Sequence, residues 1–120
     1  MFDKLEIYRA IGELAYLIAK AGDGLKLEEK KAFFEVIEKE LKFDAWSAES
    51  RFEILDEKLH PTLEHAYNEA LFELKTHKAQ LTPELKDTAV KVAKTVAEVC
   101  GKSEIKDFII DRLEKDLKNI

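Results

Sequence analysis

The stretch Leu5-Glu-Ile-Tyr-Arg-Ala-Ile-Gly-Glu-Leu-Ala-Tyr-Leu-Ile-Ala-Lys-Ala-Gly-Asp-Gly24 decides the fold. Leu5, Ile7, Tyr8, Ile11, Leu14, Leu17 and Ile18 recur at helical spacing, while Glu6, Arg9, Glu13 and Lys20 keep to one narrow polar stripe. A helix apolar over most of its circumference needs neighbours on nearly every side, which places it in the middle of a bundle. Asp3 is a candidate cap with Glu6 as its reciprocal partner and Phe2 against Ile7 as a staple. Gly22-Asp23-Gly24 ends the helix.

Working outward, the remaining punctuation is also helical. A second helix is expected from Leu27 to Lys42, and Ser47 is expected to cap a third that His60-Pro61 ends, since proline disfavours helical geometry in the residue before it. A fourth runs from Thr62 to Ala79. Thr82-Pro83-Glu84 opens a fifth that ends at Gly101, and Ser103 caps a sixth. On the fifth, Asp87, Lys91, Lys94 and Glu98 form the polar stripe while Val90, Val92, Ala93, Val96, Ala97 and Val99 bury, so it joins the first helix in the centre. The second, fourth and sixth carry one-sided apolar stripes and form the outer layer; Ile105, Ile109, Leu113 and Leu117 mark that of the sixth. Phe43 and Trp46 flank the second corner and are expected to plug the bundle end. No segment alternates like a strand. The expectation is an all-α protein, a single compact domain over residues 1–120 built from about six helices.

The composition agrees. At 120 residues and 46% apolar, the chain has ample material for one core, and 38% charged residues cover it. Its longest apolar run, Leu14 to Ala19, is six residues, far from the ~20 of a membrane helix, so no membrane insertion is expected. Asp3 and Glu6 stand where a secretory signal would be basic and apolar. Cys100 alone forms neither an internal disulfide nor a multi-cysteine zinc site, which points to a cytoplasmic location. The net charge is −5, and residues 49–73 carry all of it, with seven acids against Arg51 and Lys58. Nucleic acid is excluded as a partner, because no basic face is available to displace counterions from phosphates. The acidic segment reads either as a face for a protein partner or as a solubilising surface.

A shift of 76 residues lays Glu38-Lys39-Glu40-Leu41-Lys42 on Glu114-Lys115-Asp116-Leu117-Lys118, and also pairs Glu28 with Glu104, Lys30 with Lys106 and Ile37 with Leu113. Either amphipathic Glu/Lys/Leu helices coincide, or the fold holds two related helical hairpins with the third and fourth helices inserted between them.

Catalytic constellations are scarce. An EF-hand loop fails on its ligands: with Gly24 as its glycine, Ala19, Ala21 and Lys30 fall on ligand positions and only Asp23 fits. Glu57 and His60 share the spacing of one di-iron half-site, but a second half-site is missing. His65 with Glu69, and Glu73 with His77, are i,i+4 pairs on the fourth helix. Cys100 sits among valines and alanines and reads as a packed thiol. The chain is therefore expected not to be an enzyme. The alternative is a metal-dependent enzyme drawing on the His and Glu residues of helices three and four.

The segment from Ala15 through Gly22-Asp23-Gly24-Leu25 and Glu28-Glu29 to Phe33 resembles a TerB-like domain of the tellurite-resistance family. That family shows an apolar helix ending in Ala-Asp-Gly, an aliphatic residue soon after, and a glutamate opening the next helix. Aligning Leu25 with the aliphatic position puts Glu29 on the glutamate and Asp23 one step after the aspartate. The resemblance implies a compact bacterial, cytoplasmic, non-enzymatic bundle linked to tellurite and other chemical stress, metal-ion binding, and a protein partner within a membrane-linked stress complex.

The residues themselves offer a candidate cation site. Asp23 lies in a glycine-flanked turn and Glu28 and Glu29 open the following helix, so their carboxylates suit weakly bound Ca²⁺ or Mg²⁺. Against it stands helix capping alone, because a helix N-terminus is positive and favours acids without a metal. A Ca²⁺ titration by NMR separates the two. The site requires saturable amide shifts over residues 21–30 with affinity of roughly 10⁻⁴–10⁻³ M, lost in Asp23→Asn with Glu29→Gln. Shifts spread over 49–73 instead mean screening only.

Overall fold

A computed structural model describes the backbone of residues 2–21, 27–59, 61–99, 101 and 103–120, and their side chains except at 2–4, 28, 29 and 32. Every regular element among these residues is helical: α1 (Phe2–Lys20), α2 (Leu27–Leu41), α3 (Ala45–Ile54), α4 (Leu63–Thr76), α5 (Pro83–Val99) and α6 (Glu104–Lys118). Five of them are of fourteen residues or more. The third departs from the expected count of about six full helices. It is a ten-residue helix entered from a 3₁₀ turn at Lys42–Asp44 and left through a wider π turn at Leu55–Leu59. Pro61 lies just past that turn and cannot extend it, since the ring blocks helical geometry before it.

The caps follow side-chain chemistry. Thr62, Thr82 and Ser103 hydroxyls accept from the backbone N–H groups of His65, Leu85 and Lys106 at 3.1, 3.2 and 3.3 Å. Gly101 leaves α5 with φ +90°, a conformation glycine adopts without a Cβ clash. Ser47 is not a cap. The three-residue corner starts α3 early, at Ala45, so Ser47 is already inside the helix and donates to the Asp44 carbonyl at 3.0 Å.

α1 is central, as its stripe implies: it packs against α2, α3, α4 and α5. α5 continues the centre against α1 and α2 with Ala89, Val92, Ala93, Val96 and Ala97, and α6 packs chiefly on α5. The chain folds to a radius of gyration of 12.7 Å. Four aromatics lock the α1, α2 and α3 junction. Phe52 stacks on Phe33 with ring centres 3.9 Å apart and receives Tyr16 edge-on at 5.6 Å, with Phe34 on its other flank.

Four expectations fail at specific positions. Glu13, placed on the solvent stripe, is 2% exposed because α3 and α4 both close over that side of α1. Phe43 and Trp46 plug nothing: Phe43, in the short turn before α3, is 90% exposed and Trp46, in the first turn of α3, is 52% exposed. Val99 is exposed at the end of α5, and Ile105 at the start of α6.

α1 and α3 approach closely at Gly12. A Cβ built there would lie 2.8 Å from the Ala48 Cα and nearer still to its carbonyl oxygen. Both are backbone atoms, so α1 and α3 would have to separate. Gly12→Ala is therefore expected to cost about 3 kcal/mol, lowering the thermal midpoint on the order of 10 °C. Adding Ala48→Gly should give no rescue, because the obstructing atoms are main chain.

Candidate functional site

Three surfaces and one buried network hold the chain's chemistry. The first surface is the corner chosen from sequence. Asp23 lies outside the described residues; Glu28 and Glu29 lie in the first turn of α2, and their side chains are outside the description. The residue after them, Lys30, reaches across to α3 and the π turn. Its Nζ lies 3.6 Å from Glu57, 3.7 Å from Asp56 and 4.0 Å from Glu53. Lys20 adds a 4.0 Å contact to Asp56.

These contacts divide the acidic segment. Glu53, Asp56 and Glu57 face Lys30, while Glu69 faces Arg51 at 3.0 Å and Glu73 faces His77 at 3.6 Å. Residues 49–73 therefore do not form one open acidic face. Among the described residues no three His, Cys, Asp or Glu side chains converge as a metal shell would. His60 lies outside them, and His65 pairs with Glu69 at 3.3 Å.

The buried network joins α1, α3 and α4. Glu13 Oε1 lies 3.6 Å from Arg51 Nη2, which hydrogen-bonds Glu69 at 3.0 Å; Glu13 Oε2 is buried without a partner. Burial pushes the Glu13 carboxyl up to about 7, against the pull of Arg51, and the nearby Glu69 carboxylate pushes the same way. Glu49 on α3 is likewise raised to about 7, by burial and by a hydrogen bond to Glu38 of α2. Neither was legible beforehand: Glu13 sat on a good polar stripe, and only the fold brings Glu38 to Glu49.

The second surface is the exposed aromatic corner. Lys42 takes a left-handed φ of 54°, unusual for a residue with a side chain, and Phe43 and Trp46 follow it. The third is an open groove of about 680 Å³ between α5 and α6. Val90 and Leu117 form its apolar floor, and Lys86, Lys91, Lys94 and Lys118 rim it. Lys91 is paired with Glu40 at 3.3 Å and Lys94 with Glu114 at 3.2 Å. Lys86 and Lys118 make no ion pair among the described residues. The groove's own acids are Asp87 and Glu114, so it carries a net positive charge in a chain of net −5.

No helix among the described residues is long and apolar enough to cross a membrane. The chain matches no family model, no curated protein and no solved structure.

The two raised carboxyls set a pH dependence. The folded chain holds protons on Glu13 and Glu49 at pH values where the unfolded chain has released them. Their contribution is present in full below the ordinary value of 4.5 and is lost as pH rises through about 7. For Glu13 this amounts to roughly 2–3 kcal/mol. The thermal midpoint should fall between pH 5.5 and pH 8. Glu13→Gln should raise the midpoint at pH 8 and flatten the profile, with Glu49→Gln removing most of the remaining slope.

Proposed function

We propose that this chain is a non-enzymatic, TerB-like helical module that works in the cytoplasm by binding a protein partner in a stress-response complex. Ca²⁺ or Mg²⁺ at Asp23, Glu28 and Glu29 is an accessory to that role. What supports the reading is Phe43, whose ring stands 90% exposed beside a left-handed lysine. Burying a phenylalanine is worth about 2–3 kcal/mol, and Phe43 forgoes more of that gain than Phe72 and Phe108, which are 65% and 66% exposed. Lys42 next to it has a left-handed backbone, and conformations of this kind collect at working sites. Aromatic side chains of this size are the usual anchors of protein interfaces, and Trp46 stands three residues away. The 76-residue shift would make α1–α2 and α5–α6 two related hairpins with α3 and α4 inserted, and the packing of α1 on α5 is consistent with it.

Trp46 is the chain's single tryptophan and therefore its own reporter. A photoreactive residue at position 43 or 46 should cross-link one discrete protein in the source cell, while the same group at exposed Thr76 should not. Adding that protein should shift Trp46 emission to shorter wavelength, and Phe43→Ser should weaken binding about tenfold or more. Equal capture from position 76 overturns the proposal. Purified protein retaining stoichiometric iron or manganese, with turnover lost on changing His65 or His77, overturns it in favour of the metal-dependent enzyme.

A further inference from the structure

The groove between α5 and α6 uses none of the residues of the aromatic corner and carries an inference of its own. We infer that it receives an acidic amphipathic helix of a partner protein, with the peptide's apolar face on Val90 and Leu117 and its carboxylates on Lys86, Lys94 and Lys118.

Spacing comes first. Lys86, Val90 and Lys94 stand at i, i+4 and i+8 on α5, one row of the helix surface that reads cation, apolar, cation over about 12 Å. Leu117 and Lys118 face it from the last turn of α6. A ligand that satisfies this row must itself alternate anion, apolar group, anion over the same distance. A helix with acids seven or eight residues apart and an aliphatic residue between them does so, and helices bind other proteins by laying one face in such a groove.

Charge comes second. The chain is net acidic, yet this surface is net basic, and Lys86 and Lys118 have no acidic partner among the described residues. A small compact anion fits the arrangement poorly. The four lysines are strung along two helices rather than gathered around one point. A second copy of the chain is the poorer occupant as well. Its acidic α3 and π-turn residues are engaged by its own Lys30 and Lys20.

The test uses the whole chain and three labelled peptides of about 16 residues: an amphipathic Glu/Leu helix with leucines on one face, a scramble of the same composition, and polyglutamate. Fluorescence anisotropy reads affinity, and amide shifts read location. The amphipathic peptide should bind at least about tenfold tighter than the other two, and more weakly as salt rises. Shifts should fall at Lys86, Val90, Lys94 and Leu117. Lys86→Glu with Lys118→Glu should lower affinity about tenfold, and Val90→Ser should do so without changing charge. Lys118 is exposed while Lys86 and Val90 are half-buried, so retained helix content by circular dichroism checks folding. Equal binding of scramble or polyglutamate overturns the inference, leaving only nonspecific charge attraction. Shifts confined to Phe43 and Trp46 overturn it in favour of the aromatic corner. Dimerisation abolished by the double lysine reversal overturns it in favour of a second copy. Phe43→Ser should leave peptide binding unchanged, so the two surfaces can fail independently.

Discussion

The contact between Gly12 of α1 and the backbone of Ala48 in α3 sets the geometry of the bundle. Without a side chain at position 12, the two helices meet main chain to main chain. That closeness carries Phe52, one turn beyond Ala48, into the stack with Phe33 and Tyr16. It also draws Arg51 over Glu13, which would otherwise stand on the solvent side of α1. One absent methyl thus fixes both the aromatic junction and the buried charge network. Tight apposition of this kind is intolerant of added volume, because the interior is packed as densely as an organic crystal.

Much of the architecture was legible because helical periodicity and capping chemistry are local. The breadth of the apolar surface between Leu5 and Ala21 identified α1 as central, and Thr82, Pro83 and Ser103 marked the starts of α5 and α6. What escaped depends on partners distant in sequence. Glu13 obeys the polar stripe, yet Arg51 and Glu69 lie 38 and 56 residues further on and convert a surface position into a covered one. Phe43 and Trp46 have the composition of a plug, but their direction follows from a three-residue turn and one left-handed lysine. The groove was present only as the polar stripe Asp87, Lys91, Lys94 and Glu98; its basic character needs Lys86 and Lys118 beside it. The candidate cation corner rests on spacing in sequence, with Asp23 outside the described residues.

Electrostatics show the same lesson at larger scale. A charge count over residues 49–73 describes a chain segment, whereas a partner meets a surface. Lys30 on α2 and Arg51 on α3 engage four of the seven acids, so the negative charge is divided among separate ion-paired groups. Surface pairs contribute little each, about 0–1 kcal/mol, so their main effect is on what the exterior presents. The basic strip along α5 and α6 gains contrast as a result.

The outermost position of α6 has a further consequence. α1 is held from several sides, so the amides of its middle turns belong to the best protected part of the bundle. α6 rests chiefly on α5, with side attachments from Tyr67 to Asp116 and from Arg112 over the Tyr67 ring at 4.4 Å. Its release breaks contacts with α5 and α4 and leaves the aromatic junction of α1, α2 and α3 intact. The packing thus implies two tiers of hydrogen-exchange protection, stronger in the inner helices and weaker in the terminal one.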